Sequence, residues 1–199
     1  MSASVRPLTL ADVAIPRPAL AHHVALIVGA TALTAAAAQL EIRLPWTPVP
    51  ITGQTFAVLL SGAVLGARRG FLAQALYLAC GAVGMPVFSG GGAGAQHLIG
   101  PTGGYLMAFP FAAALTGFFA ARGWDRRFLT MFAAMLLGSA VIFGCGLAWL
   151  SRFLPAPALI ASGLAPFLPG DLVKTTLAAL AFPALWRRTH DAGSADSGR

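Results

Sequence analysis

The chain has 199 residues, 57% hydrophobic and only 10% charged, with a mean hydropathy of +0.77. A soluble domain carries about a quarter charged residues, so these proportions exclude a water-exposed globule and call for lipid as solvent. The net charge of +7 does not signal nucleic-acid binding, because the cations sit in short clusters between apolar runs with no interleaved aromatic patch.

Six hydrophobic spans are predicted, which makes the chain an all-α, polytopic membrane protein. The first covers about 19–40 and ends at Glu41-Ile42-Arg43. The second, 55–65, is short, follows Pro45-Trp46-Thr47-Pro48-Val49-Pro50, and is closed by Arg68-Arg69. The third covers 70–84 and the fourth 104–121, which stops at Arg122 and Asp125-Arg126-Arg127. Not one Asp, Glu, Lys or Arg occurs from Gly70 to Ala121. The fifth covers 128–150, and the sixth begins near Asp171 and ends at Arg187-Arg188.

The cations orient these spans. With the N-terminus inside, ten fall on the cytoplasmic face: Arg6, Arg17, Arg68, Arg69, Arg122, Arg126, Arg127, Arg187, Arg188 and Arg199. Only two, Arg43 and Arg152, fall outside, with Lys174 near a membrane face. Both termini are therefore expected in the cytoplasm. The expected organisation is a cytoplasmic N-terminal segment 1–18, a six-helix membrane domain 19–188 and a polar tail 189–199. The Ala-rich stretch 34–38 resembles a leader-cleavage region, but the surrounding run has spanning length and more spans follow. In this orientation the Pro- and Gly-rich connections 45–53, 86–103 and 155–170 all lie outside. Irregular backbone at membrane depth needs protein or water to satisfy it, so the substrate site is expected on that face, in a cavity opening outward.

Pro169-Gly170-Asp171-Leu172-Val173-Lys174 is the strongest candidate for chemistry. The i, i+3 spacing puts Asp171 and Lys174 on one helix face. Asp171 also suits a helix cap and Lys174 a snorkelling cation, but ionisable groups inside a membrane usually face a cavity. The loop from Gly90 to Tyr105 supplies Gln96, Thr102 and Tyr105 as hydrogen-bonding groups among glycines, and serves equally as a turn-rich connector. It lacks the Lys and Ser/Thr of a phosphate-binding loop. Thr52, Gln54 and Thr55 point polar groups toward a cavity, whereas Trp46 suits an interfacial anchor. Ala32 and Ala36, with Gly29 and Ala35 nearby, allow close helix packing within the bundle or against a partner. Cys80 and Cys145 read as small buried hydrophobes, and His97 stands alone in its loop. No metal, cofactor or catalytic set is expected.

Four segments taken in order, Pro48-Val49-Pro50-Ile51-Thr52-Gly53-Gln54-Thr55-Phe56, Gly84-Met85-Pro86-Val87-Phe88, Gly100-Pro101-Thr102-Gly103-Gly104-Tyr105-Leu106 and Pro169-Gly170-Asp171-Leu172-Val173-Lys174, resemble the BioY family. These are substrate-binding S components of biotin energy-coupling-factor transporters. The resemblance implies a six-helix bundle that captures biotin from outside, with Asp171, Lys174 and Tyr105 among its binding residues. Phe88, Gly100, Gln54, Gln96 and Thr102 complete the candidate binding set. The stretch around Ala32 and Ala36 resembles the Ala-xxx-Ala surface that meets a transmembrane T component. The implied partners are biotin, that T component, ABC ATPase subunits and the lipid bilayer, with homo-oligomer formation left open. Riboflavin or thiamine is the alternative substrate.

Overall fold

The structure, a computed structural model, describes residues 9–15 and 18–196, with side chains described through Arg187. Arg6, Arg17 and Arg199 lie outside the described residues, as do the rest of 1–8, residue 16 and residues 197 and 198; the side chain of Arg188 is likewise outside them. In chain order the described elements are α1 (Leu10–Ala14), α2 (Leu20–Gln39), β1 (Glu41–Ile42), β2 (Ile51–Thr52), α3 (Gln54–Leu65), α4 (Ala67–Ala82), α5 (Gln96–Ile99), α6 (Gly103–Ala120), α7 (Phe128–Leu150), α8 (Ala156–Gly163) and α9 (Leu168–Asp196). The described residues are all-α apart from the β1–β2 pair.

The long helices α2, α3, α4, α6, α7 and α9 coincide with the expected spans. Among the described residues, α2, α6 and α7 are each long and apolar enough to cross a membrane alone. Helices α8 and α9 meet that test as one pair bent by 41°.

Two helix starts differ from expectation. Helix α4 begins at Ala67, so Arg68 and Arg69 occupy its first turn rather than a loop. Gly66 makes the break between α3 and α4 with φ at +83°, a backbone conformation that glycine adopts without strain. Helix α9 begins at Leu168, so Pro169 and Gly170 lie in its first turn. There a missing N–H costs nothing, because the first four N–H groups of a helix have no partner within it.

Helix α6 is the central column, packed against α3, α4 and α7, while α9 leans on α7. Close approach depends on glycine at Gly62 and Gly117. A Cβ on Gly62 would run into the Ala113 backbone of α6, and one on Gly117 into the α3–α4 turn. Because lipid gives apolar side chains little reason to leave it, polar contacts also hold the helices together. Gln74 Nε2 of α4 donates to Thr34 Oγ1 of α2 at 3.1 Å and to Ser61 Oγ of α3 at 2.9 Å. Thr31 Oγ1 donates to the Ala73 carbonyl at 2.8 Å. Only Ala30, Thr31, Thr34 and Ala38 of α2 are buried, and Ala32 and Ala36 are exposed on its outer side.

At the bundle end away from the Pro-rich connections, Arg69 Nη2 donates to Asp12 Oδ1 at 2.5 Å and to Thr9 Oγ1 at 3.3 Å. This clips α1 to the start of α4. Burial raises the Asp12 carboxyl, but hydrogen bonds from Thr9 and Arg69 win and leave it below its ordinary value. At the same end Trp186 Nε1 of α9 donates to the buried Asp125 Oδ2 at 2.5 Å.

Candidate functional site

At the opposite end, three connections fold over the helix ends and enclose a cavity of about 470 Å³. That size lies within the roughly 300–1,000 Å³ range of small-molecule sites. The first connection is the β1–β2 hairpin, paired antiparallel with Glu41 opposite Thr52 and Ile42 opposite Ile51. Pro45, Pro48 and Pro50 in its loop favour extended backbone. The Gly53 N–H anchors the hairpin to the end of α2, donating to the Ala37 carbonyl at 3.1 Å and the Leu40 carbonyl at 3.2 Å. The second connection runs from Val83 through α5 to Thr102, and the third carries α8.

The cavity wall combines an apolar body with a few polar groups. Phe88, Phe109, Phe143, Phe167, Leu106 and Tyr105 contribute apolar surface to it. Phe167 meets the rings of Tyr105 at 6.4 Å and Phe143 at 6.1 Å between centroids. Lys174 reaches across from α9, and its Nζ donates to the Thr52 carbonyl at 2.8 Å. That bond uses one of three ammonium donors and leaves two for a ligand. Gln54 is buried, accepting from Thr52 Oγ1 at 2.9 Å and donating from Nε2 to the Tyr77 hydroxyl at 2.5 Å. Tyr77 passes the chain on to the Val87 carbonyl at 3.0 Å.

Two clasps shut the third connection over the cavity. The Tyr105 hydroxyl donates to the Gly163 carbonyl of α8 at 2.7 Å. Thr47 Oγ1 donates to the Ser162 carbonyl at 2.7 Å, and Ser162 Oγ returns a bond to the Trp46 carbonyl at 3.1 Å. The Tyr105 hydroxyl is thus committed to holding α8, and its ring faces the cavity.

The rim carries charge. Arg43 Nε donates to Glu41 Oε1 at 2.8 Å, and Ser89 Oγ donates to Glu41 Oε2. The Ser89 bond holds the Glu41 carboxyl below the usual range, against a small opposing effect of burial and with help from Arg43. His97 also lines the cavity; its Nδ1 is buried and has no hydrogen-bond partner among the described residues.

Of the eight predicted binding residues, the cavity lining contains Gln54, Phe88, Gln96, Gly100, Thr102, Tyr105 and Lys174. Asp171 is outside that lining; it is 6% exposed, one turn before Lys174, and beside Ser139 of α7. Glu41, Arg43 and His97 line the cavity without having been singled out for it. Arg43 offered a signal, as one of two cations expected on the outer face. Of the wall phenylalanines Phe88 was expected, whereas Phe109, Phe143 and Phe167 offered no signal, because Phe at helical spacing reads as core.

The BioY family model matches residues 7–191. A probable biotin transporter of Pyrococcus horikoshii is 41% identical over 160 residues, covering 80% of this chain and 93% of its own length. The biotin transporter of Thermotoga maritima is 40% identical, over 70% of this chain and 82% of its own. The crystal structure of the S-component for biotin from an ECF-type ABC transporter matches with a TM-score of 0.76 at 29% identity, across 84% of this chain and 92% of that one. The chain is a multi-pass protein of the cell membrane, and it belongs to the BioY family.

Proposed function

We propose that this protein captures biotin at the outer face of the cytoplasmic membrane, as the S component of an energy-coupling-factor transporter. The observation that carries the reading is the cavity: an aromatic and aliphatic body, Lys174 and Gln54 at one side, and Arg43 at the mouth. Biotin divides the same way. Its thiophane ring and aliphatic chain suit the apolar wall. Its ureido ring has two N–H donors and one carbonyl, which the free donors of Lys174 and the amide oxygen of Gln54 complement. Its carboxylate suits the Arg43 guanidinium at the rim. Asp171 supports the site from behind, as a carboxylate one turn before Lys174 on α9.

The proposed topology has six crossings with both termini in the cytoplasm, and the cavity on the outer side. The exposed Ala32 and Ala36 on α2 suit a surface for a transmembrane T component, with ATPase subunits supplying energy. On this reading the membrane domain runs from α2 onward, with α1 beneath it and residues 189–196 continuing α9.

Titration of the detergent-purified chain with biotin, riboflavin and thiamine tests the substrate. Saturable binding of biotin alone is expected, and binding of riboflavin or thiamine in its place overturns the assignment. Asp171→Asn and Lys174→Ala test the residues. Each is expected to weaken biotin binding at least about tenfold, the scale of one charge-assisted hydrogen bond. Unchanged affinity in both removes them from the site.

A further inference from the structure

A second cavity, of about 360 Å³, lies on the outside of the bundle between α6 and α7, at the same end as the first. Gly104, Met107, Ala108 and Phe111 of α6 form one side, and Cys145, Ala148 and Trp149 of α7 the other. It runs over two turns of α6, about 10 Å along the helix axis. Apart from its mouth, the lining carries no charged side chain. Met107, Phe111, Cys145 and Ala148 are exposed, so the groove opens sideways to the surface of the bundle rather than into it.

The mouth is held by Arg152. Its guanidinium stacks on the Trp149 ring at 4.3 Å, and it takes part in no hydrogen bond or ion pair among the described residues. A guanidinium held over an aromatic ring keeps its N–H donors for another partner, and a phosphate matches them. Trp149 is itself fixed, because its Nε1 donates to the Gly100 carbonyl at 2.9 Å. A Cβ on Gly104 would collide with Trp149, so glycine is what lets the indole lie against α6.

An apolar groove that opens laterally, about 10 Å deep and capped by one unpaired cation at its head, matches the two ends of a phospholipid. We infer that this groove is a phospholipid site: an acyl chain lies between α6 and α7, and the headgroup phosphate rests on Arg152. The occupant is an anionic phospholipid, since no carboxylate among the described residues pairs with Arg152. The site is independent of the substrate cavity, although Trp149 links their walls by bonding to Gly100, which lines that cavity.

Quenching of tryptophan fluorescence by phosphatidylglycerol carrying a brominated acyl chain tests the inference, using the full chain with Trp46→Phe in detergent micelles, with the background from Trp124 and Trp186 at the far end of the bundle read from the chain that also carries Trp149→Phe. Saturable quenching at a low lipid fraction is expected, and it disappears when Trp149→Phe is added. Ala148→Phe, which fills the groove from a lipid-facing position, is expected to abolish the saturable phase. Arg152→Gln is expected to weaken it about fivefold, the scale of one basic residue at a membrane surface. Brominated phosphatidylcholine should bind more weakly than phosphatidylglycerol. Quenching that is linear in lipid and identical in Ala148→Phe overturns the site. Saturable quenching that ignores both Arg152→Gln and the headgroup overturns the phosphate contact.

Discussion

Tyr105→Phe separates two roles that one side chain could play at the cavity. In the structure its hydroxyl is spent on the Gly163 carbonyl of α8 at 2.7 Å, while its ring lines the cavity and packs near Phe167. Phenylalanine keeps the ring and deletes the clasp, leaving a buried carbonyl unsatisfied. The closed arrangement should lose about 1–2 kcal/mol, a factor of roughly five to thirty in the closed-to-open ratio. Ligand release should accelerate by that factor, with little change in the rate of association. Stopped-flow measurement of biotin release from the purified chain reads the first quantity. Hydrogen exchange over residues 156–163 in the ligand-free protein reads the second consequence, faster opening of α8. Thr47→Val removes the other clasp, to the Ser162 carbonyl at 2.7 Å, and should act in the same direction. Slower binding with unchanged exchange in α8 would refute the clasp and assign the hydroxyl directly to the ligand.

Gln54→Leu strips Thr52 and Tyr77 of a buried partner and should lower thermal stability by about 1–3 kcal/mol, read as a drop in Tm in detergent. Gly81→Ala puts a methyl group into the Phe88 ring, itself 1% exposed, and should cost about 1–3 kcal/mol together with a loss of biotin affinity. Gly62→Ala meets backbone rather than a movable side chain, so little folded protein should be recovered by size-exclusion chromatography. Acidification should release α1. The Asp12 carboxyl lies below its unfolded value in the folded protein, so its contribution is complete above the ordinary carboxylate range and is lost as pH falls through the folded value. Limited proteolysis near residues 9–15 should therefore stay constant from pH 8 to about 5 and rise below about pH 4, whereas Asp12→Asn should be cleaved readily throughout.

The helices were legible because a membrane span declares itself by apolar length alone. The predicted 128–150 and the observed Phe128–Leu150 coincide, and the predicted 19–40 differs from Leu20–Gln39 by one residue at each end. Charges misled where they mark more than a loop. Arg68 and Arg69 read as the end of a span, but a helix that starts at Ala67 places them in its first turn, where Arg69 finds Asp12. Glu41 and Arg43 read as boundary markers in the sequence, and they form the ion pair at the cavity rim. Helices α5 and α8 were hidden inside Gly- and Pro-rich stretches, whose composition speaks for turns until tertiary contacts such as Tyr105 with Gly163 hold them.

The candidate pair on α9 shows why a motif names residues more readily than it aims them. Positions i and i+3 share a face, yet at 3.6 residues per turn their side chains diverge by about 60° around the axis. Which of the two meets the cavity depends on how α9 is rotated against α7, and that rotation is set by packing far from the motif. Phe182 and Ala179 are buried in the main core, and Trp186 reaches Asp125 at the far end. With the helix turned to satisfy those contacts, Lys174 projects toward Thr52 and the cavity, and Asp171 toward Ser139. In the proposed site Lys174 is accordingly the residue placed to meet biotin and Asp171 the carboxylate behind it. Lys174→Ala should accordingly cost more biotin affinity than Asp171→Asn, and the reverse order would mean that α9 rotates when the ligand enters.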